Sequence, residues 1–139
     1  MAMAVLHARL YKQTGDEEYL NRALRTANGI TNAYTKGDGV MVNDRDAWAT
    51  GTYAPQYARE VLTLPGITED DKTVLYNTAV SIAQNARTGD GFYGGSWSGP
   101  AEGAGSLWYE SNSLPQQVMT SGNSVLILAG AAVLESVEK

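Results

Sequence analysis

A chain of 139 residues has room for one domain around one hydrophobic core. An apolar share of 43% excludes wholesale disorder, and a formal net charge of -5 with no basic run excludes the cationic patch that nucleic acid requires. The absence of cysteine removes disulfides and thiolate metal sites without fixing a compartment. At the N-terminus, Met1-Ala2-Met3-Ala4-Val5-Leu6 lacks the basic start and cleavage pattern of a signal peptide, and reads as the first turns of a helix already under way. The first helix is expected over residues 1–13, with Met3, Leu6 and Leu10 as its apolar stripe at i, i+3, i+7. Its His7, the only histidine, has no second histidine to share a metal with and reads as an ordinary helix residue.

Gly15 is placed to end that helix, and Asp16 to cap the next, whose first turn carries Glu17 and Glu18. Leu20, Ala23, Leu24, Ala27 and Ile30 form the apolar face of the second helix, with Tyr34 a turn further on. The two-residue link Thr14-Gly15 predicts an antiparallel hairpin. Gly37-Asp38-Gly39 breaks the pattern, and residues 40–42 read as a short extended piece. A third helix is expected from Asp44 or Asp46 to about residue 64, with Pro55 either kinking it or starting its main part. After Pro65-Gly66, Thr68 and Asp71 resemble a capping box, and a fourth helix runs to about residue 87 on Leu75, Ala79, Ile82, Ala83 and Ala86. Residues 88–112 are rich in glycine, serine and aromatics and show no helical period. Ser113 and Pro115 then open a fifth helix to about residue 135. Its second half is apolar nearly all round, which predicts deep burial. The run 125–134 contains Gly130 and is too short to span a bilayer.

Three groups of residues are candidates for chemistry. In the loop 90–100, glycines permit tight turns while Phe92, Tyr93 and Trp97 supply flat faces, followed by Trp108 and Tyr109. Such faces suit sugar rings, and they equally suit pinning a long loop to the core. Asp44 and Asp46 flank Arg45 before Trp48, a pattern fit for acid–base work or for helix capping with an ion pair. Glu102 and Glu110 lie in the aromatic loop, as a glycosidase carboxylate would or as solvated loop residues. Gln116, Gln117, Thr120 and Ser121 gather at the start of the fifth helix, able to bind hydroxyls or to cap. No metal-ligand set or cofactor motif is present in the sequence: the glycines follow no strand, and the Gly-Lys-Ser/Thr ending of a phosphate loop is missing.

The junction Leu10-Tyr11-Lys12-Gln13-Thr14-Gly15-Asp16-Glu17-Glu18-Tyr19-Leu20 resembles one that recurs in six-hairpin (α/α)-barrel glycosidases. Tyr93-Gly94-Gly95-Ser96-Trp97-Ser98-Gly99-Pro100, followed by Gln117 and Thr120-Ser121 on an apolar last helix, resembles the C-terminal part of glycoside hydrolase family 76, largely endo-α-1,6-mannanases. The resemblance spans most of the chain but about the second half of a family member. It implies an all-α fold of helical hairpins forming part of an (α/α) barrel, or α/α toroid, with residues 1–139 as one partial domain, a C-terminal half or truncated form.

By the same resemblance the intact enzyme hydrolyses α-mannan with two carboxylates by a retaining mechanism. The family's catalytic signature, adjacent aspartates followed by Ala-Trp-Trp, is not found: Asp70-Asp71 is followed by Lys72-Thr73, and Asp46-Ala47-Trp48 is preceded by Arg45. No catalytic residue is therefore carried over. The expected substrate contacts are Trp48, Tyr53, Tyr93, Trp97 and Gln117, with Trp97 at a concave surface. The expected function is a portion of a glycoside hydrolase that supplies barrel wall and glycan contacts. Two alternatives stay open: a non-catalytic glycan-binding or structural helical domain, and a separate hydrolytic site from Asp44 or Asp46 with Glu102 or Glu110. Expected partners are a polysaccharide or oligosaccharide, with association either to a second copy or to a missing N-terminal half. No cofactor, nucleic acid or membrane span is expected, and an extracellular or cell-envelope location follows from the resemblance alone.

Overall fold

The computed structural model describes residues 1–33, 35, 37–42, 50–89, 91–99 and 114–139, the side chains of 50 and 114–120 excepted. The candidates Asp44, Asp46, Trp48, Glu102, Trp108, Tyr109 and Glu110 lie outside the described residues. Among the described residues five α-helices make the fold: α1 (Ala2–Thr14), α2 (Glu17–Ala33), α3 (Ala54–Glu60), α4 (Glu69–Asn85) and α5 (Leu114–Glu138). Among the described residues the extended pairings are two isolated bridges, Thr35 with Met41 and Arg87 with Tyr93, so this is an all-α structure. No helix among them is long and apolar enough to cross a membrane.

The hairpin of α1 and α2 follows from its turn chemistry. Gly15 sits at φ 71°, a left-handed conformation that a Cβ would strain, and its N–H donates to Tyr11 O at 2.7 Å. Asp16 Oδ1 then accepts from Glu18 N at 2.9 Å, which satisfies an orphan donor at the start of α2. His7 stacks on Tyr19 across the two helices, with ring centroids 6.3 Å apart.

The buried stripe of α1 is not the expected one. Ala4, Val5 and Ala8 are buried, whereas Met3 is 55% and Leu6 49% exposed. Small side chains let α1 come close to its neighbours α2 and α3, and α2 likewise buries Ala23 and Ala27 beside Leu20 and Ile30. Close backbone approach, rather than side-chain size, selects the inner face here.

Pro55 occupies the first turn of α3, where its missing N–H costs nothing, and a 3₁₀ turn over Thr50–Tyr53 leads into it. The helix stops at Glu60, short of the expected end. Val61, Leu62 and Leu64 are buried in the turn that follows, so the apolar run continues beyond the helix. Thr68 and Asp71 form the expected capping box at the start of α4. Asp71 is buried, and its carboxylate also accepts from Thr31 of α2, which ties α4 to α2. Val74, Leu75, Thr78, Ala79 and Ile82 face the core, while Ala83 is exposed, against expectation.

The last helix is one-sided rather than buried all round. Ser124, Ile127, Ala131 and Leu134 face inward, but Val125 is 51% and Val137 42% exposed. It packs on α3 and α4, so the fifth helix has partners within the chain. Gly130 makes this approach feasible: a Cβ there would meet Ala54 at 2.9 Å. All five helices feed one hydrophobic cluster, with Tyr57 of α3 among its largest buried side chains.

Candidate functional site

The glycine-aromatic loop is shaped by the end of α4. Thr88 N donates to Phe92 O at 2.8 Å and Gly94 N to Ala86 O at 2.7 Å, with Gly91 at φ 91° in the turn between them. These bonds fold the chain back across the helix terminus. Residues 91–99 therefore hold a defined path without belonging to a helix.

Serines from two helices then fasten this path. Ser121 Oγ on α5 accepts from Tyr93 N at 2.9 Å. Ser124 Oγ, one turn later, accepts the indole N–H of Trp97 at 3.0 Å. Ser81 Oγ on α4 donates to Trp97 O at 2.8 Å and accepts from Asn85 Nδ2 at 3.0 Å. A buried indole whose N–H found no acceptor would cost about 1–3 kcal/mol, so Ser124 is what lets this tryptophan be buried.

Trp97 is accordingly a core residue, 1% exposed, not a side chain at a concave surface. Its apolar area and its hydrogen bond both favour the interior, and the ring offers no face to a ligand in this structure. Tyr93 is partly buried, packed against the core. Tyr53 is 43% exposed at the residue that caps α3.

The segment that holds Tyr53 reaches the same stretch of α5. Thr52 Oγ1 lies 3.4 Å from Asn123 Oδ1, and a Cβ on Gly51 would come within 2.4 Å of Asn123 O. Ser121, Asn123 and Ser124 thus gather the segments of Tyr93, Tyr53 and Trp97 on one turn of helix. Gln117 lies one turn upstream on α5, its side chain outside the described residues, as Trp48 is altogether. Sequence reasoning named Ser121 as a hydroxyl ligand or cap, and its actual work is to hold the loop. Ser81, Asn123 and Ser124 were missed. The spacing of Ser121 and Ser124 at i, i+3, one helical turn, was the available signal.

A second polar centre lies in the core. The Tyr57 hydroxyl is buried and has no hydrogen-bond partner among the described residues. Burial pushes this phenol well above its ordinary range, and the charge of Asp71 adds to the rise, so it is a neutral group at any physiological pH. Among the described residues no three His, Asp or Glu side chains come together as metal ligands would. No protein-family model matches the chain, nor does any curated protein or solved structure.

Proposed function

We propose that this chain is a helical-hairpin segment of an (α/α)-barrel glycoside hydrolase of the family 76 type, which forms barrel wall and contacts an α-mannan chain. The observation that carries the reading is the convergence of the Tyr53 and Tyr93 segments on Ser121–Ser124 of α5. Two tyrosine-bearing segments meet on one turn of helix, with Gln117 a turn away, and aromatic side chains suit rings that have apolar faces and hydroxyl rims. The Thr-Gly-Asp hairpin of α1 and α2 and the resemblance of 93–100 support the same assignment. Trp48 and Gln117 stay in the proposed contact set on the resemblance, and Trp97 serves it as an anchor. The chemistry belongs to carboxylates supplied elsewhere in an intact barrel, since this chain has no adjacent aspartates followed by Ala-Trp-Trp.

Affinity electrophoresis in gels containing soluble α-1,6-mannan tests the proposal. Retardation by the mannan but not by dextran is expected, with mobility largely restored by Tyr53→Ala. Release of reducing sugar at the level of a buffer blank is expected in parallel. Unchanged mobility in mannan would sink the reading.

A further inference from the structure

We infer that a shallow groove along α4 binds a neutral polyhydroxylated ligand of about disaccharide size. Of the residues behind the α-mannan reading only Ser98, within the 93–100 stretch, lines it, and its lining chemistry asks for a neutral polyol of any linkage. Asn77, Val80, Ser81, Gln84 and Asn85 fall at i, i+3, i+4, i+7 and i+8, which places them on one face of the helix. Asp38, Val40 and Ser98 complete the lining, around a volume of about 340 Å³. That volume is at the small end of ligand sites, which span about 300–1,000 Å³.

The lining selects the class of ligand. Asn77 and Gln84 bring side-chain amides with paired donors and acceptors, the arrangement that neighbouring hydroxyls on a ring can satisfy together, and Asn85, whose Nδ2 also donates to Ser81, adds a third amide. No lysine or arginine is among the lining residues and Asp38 is the one carboxylate, so the lining offers an anionic ligand no cationic side chain. A single carboxylate is also too few for a hard cation, which takes six or more oxygens. Val80, 52% exposed, offers an apolar surface between the amides, as a sugar's C–H face requires.

One feature of the groove is built into the backbone. Gly39, at φ 76°, lets the backbone close on Asn77: a Cβ there would lie 3.0 Å from Asn77 Nδ2. A side chain at that position would crowd the amide from its place.

Titration of the ¹⁵N-labelled chain with α-1,6-mannobiose, maltose and cellobiose, followed by amide chemical shifts, is the test. The side-chain amide signals of Asn77, Gln84 and Asn85 should move with at least one of these, and Gln84→Ala should weaken that binding about fivefold. Gln84 is exposed on α4, so this variant keeps the fold, and unchanged far-UV circular dichroism checks it. Silence of the three groove amides with all three sugars overturns the groove. If they are silent while signals near Ser121–Ser124 move with mannobiose, the groove fails and the α-mannan reading stands. If they move with maltose or cellobiose while the protein runs freely in mannan gels, the groove stands and that reading fails.

Discussion

Glu60 shows how a single side chain joins two helices that are distant in sequence. Its carboxylate, 17% exposed, faces Lys12 at 3.1 Å and Arg9 at 3.7 Å on α1, and Arg59 at 3.4 Å beside it. Burial by itself would raise its pKa. The hydrogen bond from Lys12 and the charges of Lys12, Arg9 and Arg59 outweigh that and hold it below its ordinary value of 4.5. A lowered folded pKa means the stabilisation is present above the unfolded value and is lost as pH falls through the folded one. Glu60→Gln should therefore cost about 1 kcal/mol at pH 7, with partial solvent screening included. The difference from the parent should shrink towards nothing as pH drops below 4.5. Urea unfolding of both proteins at pH 7 and pH 3 measures it, and an equal gap at both values would show that charge is not the cause.

The helices differ in how far their own pattern reveals their inner face. α2 reads correctly, because Leu20, Ala23, Ala27 and Ile30 leave its polar residues one continuous outer face. α1 does not, because it carries apolar residues on two faces and the smaller ones point inward. Replacing Leu6 with Gln should change stability by less than about 0.5 kcal/mol, as surface changes do. Replacing Ala8, 0% exposed, with Gln should cost several-fold more, by overpacking and by burying an amide. Thermal unfolding of the two variants ranks them. A larger loss from Leu6→Gln would restore the stripe of Met3, Leu6 and Leu10 as the packed one.

At the scale of the molecule, the five helices contribute to a single buried cluster, and polar ties join residues far apart in sequence. Lys72 Nζ of α4 meets Glu138 of α5 at 2.9 Å, and Tyr76 Oη donates to the same carboxylate at 3.1 Å. A shared core without a boundary predicts one cooperative transition. Helix content by far-UV circular dichroism and aromatic packing by near-UV circular dichroism should fall together along a urea gradient. Loss of the near-UV signal well before the helices would mean that the loop around Trp97 is a separate, weaker unit.

Local chemistry was legible from the residues themselves. Gly15, Asp16, Pro55 and the Thr68–Asp71 box act within a few residues of backbone, so the hairpin and the helix starts could be read directly. Which apolar face turns inward was not legible, because it depends on how closely two axes can approach, and that is set by pairs such as Gly130 and Ala54 far apart in the chain. The fate of Trp97 was decided in the same way. Flanked by glycines in a long polar loop, it reads as a ligand platform. Only the tertiary arrangement brings Ser124 within 3.0 Å of its indole nitrogen, and that bond makes burial the more favourable place for the ring.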